Sequence, residues 1–379
     1  MELHFHATSA PHRALPLPLM LGHFLPWFTR RGADYPLPAE EAARLDWLPP
    51  IEDMRHWNDA RAHYRRTHLR MPAIGVYDSR DPGVIEWQIH AAVAGGVDGF
   101  IVNWYGKYSV ENVITLHWLR ALEAWNARHP EQPFLYFICH DMQAQWPSEG
   151  KRPVSLEEDF LFIREHLIRD SYLCRCGRPL LAVFPYGDQR ERYRQALDRV
   201  FGDVGADLIW AGGPPRRGED AAFCWVQPDA DTVQAGSPYP WIDPDNDGSG
   251  ALAQFYAERT DSGGACRYLM GGVWPGFNDT LVRWAWNADA DAARIRPRVM
   301  CRHTRAGSTL ERTWNAYLDA LRRARGDRGL LPAPLVQLIT WNDYAEDTAL
   351  EPTREDGDAP LQTCLRLKSL ARELVAGRD

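Results

Sequence analysis

Two carboxylates stand three positions apart in the segment Ile339 to Thr353, ITWNDYAEDTALEPT. Asp343 and Glu346 follow Trp341 and Asn342, and the apolar run Leu335 to Thr340 ends just before them. A short loop or a single helical turn after that run would bring both acids to one side. Paired carboxylates do acid–base work. One gives a proton to a leaving group while the other takes a proton from, or attacks beside, the incoming oxygen; glycosidic bonds are cleaved this way. Asp-x-x-Glu alone is a common spacing, and it also arises when one acid caps a helix or both are solvated. Its weight here comes from its place at the end of an apolar run, among Trp, Asn and Tyr.

The elements that must position these acids follow a repeating rhythm of short apolar run, loop and amphipathic segment. The runs are Leu17 to Phe24, Val97 to Trp104, Phe134 to Cys139, Pro179 to Phe184, Asp207 to Ala211, Ala221 to Val226, Arg267 to Val273 and Leu335 to Thr340. Helices are predicted near Pro82–Ala94, Val110–Arg128, Leu156–Ile168, Gln189–Val200, Gly250–Arg259, Ser308–Arg325 and Ala359–Val375. Asp81 can cap the first, Pro82 fits its first position, and Gly95-Gly96 ends it. Eight continuous apolar runs, as expected of strands buried on both faces, predict a single (β/α)8 TIM barrel, an α/β fold in one domain over residues 1–379. A long loop insertion, about Thr29 to Pro72, follows strand 1. No helix is evident between the fifth and sixth runs. The alternative, a doubly wound open sheet, loses its dinucleotide-binding form because no G-x-G-x-x-G follows the first run.

Barrel chemistry sits at the C-terminal ends of the strands. Those ends hold His23 and Trp27; Asn103, Trp104 and Tyr105; His140 and Asp141; Tyr186 and Asp188; Trp225, Gln227 and Asp229; Trp274, Asn278 and Asp279; and Trp341 and Asn342 beside Asp343 and Glu346. Aromatic faces stack on sugar rings, while amides and carboxylates bind hydroxyls. Any single Trp is more simply a core residue. As a set, the strand ends predict a carbohydrate site.

The eighth-strand segment resembles that of glycoside hydrolase family 71, the endo-α-1,3-glucanases, which reads roughly Trp-Asn-Asp-Tyr-Gly-Glu. Glu346 to Pro352 is similar to the end of the corresponding segment of family 99, the endo-α-mannosidases and relatives. Met20 to Trp27, Tyr77-Asp78-Ser79 with Asp81-Pro82, Gly96 to Tyr105 and Pro275-Gly276-Phe277 extend the likeness. The resemblance implies a (β/α)8 glycoside hydrolase acting on α-linked glycans, with Glu346 as general acid and Asp343 as general base. Ala345 departs from both families, which carry Gly and His there. Asp343 matches the family 71 acid and is one methylene shorter than the Glu of family 99. These differences favour the two-carboxylate chemistry of family 71. The alternatives are a non-hydrolytic glycan-binding barrel and a role in surface-polysaccharide biosynthesis.

The 379 residues carry 43 Lys+Arg against 51 Asp+Glu, a net charge of −8, which disfavours a general nucleic-acid binder. Hydrophobic residues at 45% and charged residues at 25% exclude a disordered chain. No run approaches the ~20 apolar residues of a membrane span. The N-terminus lacks a clean signal-peptide layout, and seven scattered cysteines suit reduced thiols, so a cytoplasmic location is expected. Cofactors and metals are not expected: Asp243 to Gly248 matches only the first half of a calcium loop, with Gln254 at the twelfth position, and reads as an Asp/Gly turn. The basic run Arg55 to Arg70, with Arg61, Arg65 and Arg66, reads as a solvated helix face. His4 and His6 are placed on a mobile terminus and not as a ligand pair. Oligomeric state is left open.

Overall fold

The structure is a computed structural model that describes residues 4–57, 70–142, 154–184, 187, 189–212, 220–229, 245–261, 267–279, 299–324 and 333–377. Eight parallel strands form its centre: β1 (Leu19–Phe24), β2 (Gly99–Trp104), β3 (Leu135–Asp141), β4 (Arg178–Phe184), β5 (Asp207–Ala211), β6 (Ala221–Phe223), β7 (Tyr268–Val273) and β8 (Leu335–Leu338). Each pairs with the next, and β8 pairs with β1 in the register Leu335↔Leu19 to Leu338↔Gly22, so the sheet closes on itself. This is the predicted eight-stranded (β/α)8 barrel, and an open sheet is excluded.

Besides the single turn Ala39–Ala42 in the insertion after β1, seven helices are described between and after the strands: α1 (Pro82–Ala94), α2 (Val110–Arg128), α3 (Leu156–Phe162), α4 (Arg190–Phe201), α5 (Ser249–Asp261), α6 (Thr309–Arg323) and α7 (Ala359–Ala376). Local chemistry starts several of them. The Asp81 side chain accepts from the Gly83 N–H ahead of Pro82, Ser109 accepts from Asn112, and Ser155 with Glu158 completes a capping box at α3. A wider π-type turn, Ile163–Leu167, finishes α3. The apolar interior is continuous from Phe5 to Ala371.

At the N-terminal end of the barrel, Asp98 accepts from the Met20 N–H at 2.7 Å and from Lys368 Nζ at 2.6 Å, which fastens α7 beneath β1 and β2. A cavity of about 490 Å³ opens at this end, lined in part by Leu15, Leu19, Val97, Phe134 and Leu135. It lies opposite the strand ends that carry the candidate site.

Two sequence expectations are corrected. The terminus is tied down: Phe5–Ala7 pairs antiparallel with Leu173–Arg175, and His6 is buried with Nδ1 2.9 Å from the Ala7 carbonyl. Three residues carry too little pattern to announce a strand; the partner strand supplies the reason. The basic run is not simply a solvated face either. Arg55 pairs with Glu111 on α2, and Arg70 pairs with Asp347 and Asp356. Arg61, Arg65 and Arg66 lie outside the described residues, as does Asp243. In the Asp/Gly turn, Asp245 pairs with Arg305, the Asn246 side chain accepts from the Asp229 and Gly248 N–H groups, and Asp247 pairs with Arg312. Six cysteines are described, all as free thiols. Among the described residues no helix is long and apolar enough to cross a membrane.

Gly99 sets the approach of β2 to β3. A Cβ there would lie 2.3 Å from the Leu135 carbonyl oxygen, and backbone in a closed sheet cannot move aside. Gly99→Ala is expected to cost about 1–3 kcal/mol of stability, read as a lower urea midpoint. An unchanged midpoint would show that these strands separate freely.

Candidate active site

The segment after β8 is built to hold a carboxylate away from water. The peptide joining Ile339 to Thr340 is cis. Trp341 N–H donates to the His23 carbonyl at 2.7 Å, continuing the β8–β1 closure past the last ladder pair. Asn342 is buried and spent internally: Oδ1 accepts from Leu25 N–H at 2.9 Å, and Nδ2 donates to the Leu25 carbonyl and to the Tyr77 hydroxyl, each at 3.1 Å. Asp343 follows. Its N–H donates to Thr340 Oγ1 at 2.8 Å, and its Oδ1 accepts from the Glu346 N–H at 2.9 Å. Asp343 is therefore bonded to the backbone of the other candidate acid, and the loop between them is one compact turn. Burial pushes the Asp343 carboxyl up to about 7, against the opposing pull of the Glu346 and Ala345 amides. Glu346 is half-buried, and its carbonyl accepts from the Asn278 N–H at 2.7 Å, which joins this turn to the segment after β7.

A second group lies across the ends of β1, β2 and β3. His23 Nε2 is 3.3 Å from Asn103 Oδ1, and Asn103 Nδ2 donates to the Tyr105 hydroxyl at 3.0 Å and to Asp141 Oδ2 at 3.4 Å. Burial lowers His23 to about 4, so its ring is neutral at pH 7. Trp225, half-buried beyond β6, presents its ring edge-on to both His23 and Phe184, with centroids 4.8 Å apart in each pair. Gln227 is exposed beyond it, and the Asp229 carboxylate accepts from the Ala251 N–H at 2.6 Å at the start of α5.

Other predicted residues are buried among neighbouring elements. Trp104 donates to Asn112 on α2, Trp274 donates to the Asp247 carbonyl, and Trp341 packs on Phe100 at 5.0 Å between centroids; all three are fully buried. His140 is fully buried between Asp159 and the Tyr193 hydroxyl, at 3.2 and 3.0 Å. Along a strand successive side chains point to opposite faces, so His140 serves the layer behind Asp141. Trp27 is buried and stacks on His56, with centroids 4.2 Å apart. Asp279 is buried, and Tyr186 and Asp188 lie outside the described residues.

The sequence reading missed what supports the acid turn. Leu25, Trp27, Phe28, Trp57, Tyr77, Tyr344 and Ala349 form a second apolar cluster, so the insertion after β1 packs directly against the turn. Asp347 adopts the left-handed conformation with φ 57°, uncommon for a residue with a side chain. Arg70 and Arg302 hold it there, and Arg302 Nη2 also reaches the Asp347 and Ala349 carbonyls at 3.1 and 2.8 Å. Glu351 is a third buried carboxylate, raised by burial to about 7. It lies in the stretch Glu346 to Pro352 that resembles family 99, the one signal that could have marked it. Among the described residues no group of three or more His, Cys, Asp or Glu is arranged to hold a metal ion.

The closed parallel barrel is a fold found in solved glycoside hydrolases. Among the solved structures that share the fold are two of one enzyme and one of a related protein. The family 99 endo-α-mannosidase of Bacteroides thetaiotaomicron in complex with bis-tris-propane superposes with a TM-score of 0.59 at 14% identity, over 95% of this chain and 99% of that one. Another structure of that enzyme gives 0.59 and 14% over 94% and 98%, and a glycoside hydrolase-like protein gives 0.57 and 14% over 96% and 99%. At this identity the likeness is one of fold. No protein-family model and no curated protein matches the chain.

A carboxyl with raised proton affinity makes the fold pH-sensitive. Between about pH 4, where an unfolded Asp loses its proton, and about 7, folded Asp343 still holds one. The folded state therefore binds more protons in that window, and stability falls as pH rises through it. Asp343→Asn removes this dependence. The variant is expected to exceed the wild type by ~2–4 kcal/mol at pH 8 and to match it near pH 4 in denaturant melts. A difference that stays constant with pH would contradict the buried placement of this carboxyl.

Proposed function

We propose that the chain is a glycoside hydrolase that cleaves α-linked polysaccharide or oligosaccharide, with endo-α-1,3-glucanase-like or endo-α-mannosidase-like action, using Asp343 and Glu346. The observation that carries this reading is the single turn after β8 in which the buried Asp343 carboxylate accepts the Glu346 N–H. The two carboxyl groups differ in environment, Asp343 enclosed and Glu346 half-buried. Asp343, fully enclosed and raised to about 7, is suited to a general base poised near working pH. Glu346 is half-buried and takes the role of general acid. His23 stays neutral and joins Asn103, Tyr105 and Asp141 in a hydrogen-bonded row suited to sugar hydroxyls, with Trp225 as the apolar wall.

The base removes a proton from the attacking hydroxyl or water while Glu346 protonates the departing oxygen. Direct attack by water inverts the anomeric configuration, whereas attack by the sugar's own hydroxyl, followed by opening with water, retains it.

The test is product release, followed by anomeric NMR, on α-1,3-glucan, α-mannan and α-1,2-mannosyl oligosaccharides. Glu346→Gln and Asp343→Asn are each expected to lower turnover about 10²–10⁴-fold with the fold intact. Because the base works deprotonated and the acid protonated, kcat/KM should rise with pH towards about 7 and fall again where Glu346 loses its proton. Turnover that survives in both variants would move the chemistry elsewhere. Glycan binding without release, in the wild type, would make the barrel a binding protein.

A further inference from the structure

The acid turn is assembled around a carboxylate that is not one of the pair. Glu351 is buried and accepts from three side chains: the Tyr344 hydroxyl, the Tyr77 hydroxyl at 3.1 Å and Gln88 Nε2 at 2.6 Å. Its own N–H donates to the Trp341 carbonyl at 2.8 Å. These partners come from three parts of the chain. Gln88 lies on α1, Tyr77 lies in the stretch leading to it, and Tyr344 stands between Asp343 and Glu346. Tyr77 also receives Asn342 Nδ2, which ties the same point to Leu25 beyond β1.

A carboxyl group presents two oxygens with several lone-pair sites, so one small group can gather several donors that would otherwise diverge. Resting on the reading of Asp343 and Glu346 as the reacting acids, we propose that Glu351 is the positioning residue of the site, fixing Tyr344 and through it the spacing and enclosure of both acids. Glu351 touches no substrate. The titratable groups facing it are Tyr77 and Tyr344, and Arg302 with Asp347 forms the next layer. A buried carboxylate that served stability alone would be expected to do less than an apolar residue of its size, since burial of the charge is costly.

The experiment uses the full chain with Glu351→Gln, Tyr344→Phe and Tyr77→Phe, and with Tyr317→Phe as a remote control. The Tyr317 hydroxyl donates to the Ala333 carbonyl, ahead of β8 at the other end of the barrel. Two quantities are measured: kcat and KM on a cleaved glycan, and the Asp343 carboxyl titration by ¹³C NMR, assigned with Asp343→Asn. In Glu351→Gln kcat is expected to fall roughly 10²-fold with a smaller change in KM, as for a misplaced reacting group. The Asp343 midpoint should move to lower pH as water reaches the loosened turn. Tyr317→Phe should lower Tm and leave both quantities at their wild-type values. A folded Glu351→Gln with unchanged kcat and unchanged Asp343 midpoint overturns the proposal. If the wild type cleaves no glycan, the functional reading fails by itself and the Asp343 titration still decides the role of Glu351. If Glu351→Gln does not fold, the two Tyr→Phe variants, each removing one donor, decide it by the same two measurements.

Discussion

The pairing of β8 with β1 is the constraint on which the site rests. Eight strands close only if the last meets the first, and the register that brings Leu338 beside Gly22 also lays the chain beyond Leu338 along the chain beyond Phe24. Trp341 N–H on the His23 carbonyl and Asn342 on Leu25 continue that contact after the ladder ends. The acids are thereby held against residues from the opposite end of the sequence. The insertion after β1 is part of the same arrangement: its aromatic residues and the tyrosines of the acid turn share one cluster.

Around that closure, charge is handled in two ways. Asp98, Asp347 and Asp356 meet Lys or Arg, so their burial is offset by full ion pairs. Asp343 and Glu351 meet amides, hydroxyls and backbone N–H groups instead. Without a cation beside them, enclosure dominates and both hold their protons far more tightly than a solvated acid. Proton transfer benefits from that condition, whereas a structural ion pair would suppress it.

The fold was largely legible in the sequence because its signals are local. Continuous apolar runs mark strands covered on both faces, and Asp81-Pro82 and Gly95-Gly96 bracket α1 by their own stereochemistry. The placement of the two candidate acids after β8 was legible for the same reason. The direction of each rim side chain was not. In a run that is apolar throughout, the two-residue alternation is hidden, so Trp104, Trp274 and Trp341 looked like rim residues and lie in the core, whereas Trp225 stands half-buried by His23. Contacts across the chain were equally hidden. Nothing near Arg70 says that it will meet Asp347, and nothing near Gln88 announces Glu351.

The closure also has a consequence in time. Leu19 is synthesised well before Leu335 and must wait for it to pair. Loop entropy grows slowly with length, so this long-range pairing is thermodynamically tolerable, but it is late. Until β8 arrives, β1 and β7 are both open edges able to pair with other chains, a hazard for a nascent barrel. The segment that seals those edges is the one that carries Asp343 and Glu346. A chain in which the candidate acids are assembled is therefore one whose sheet has already closed.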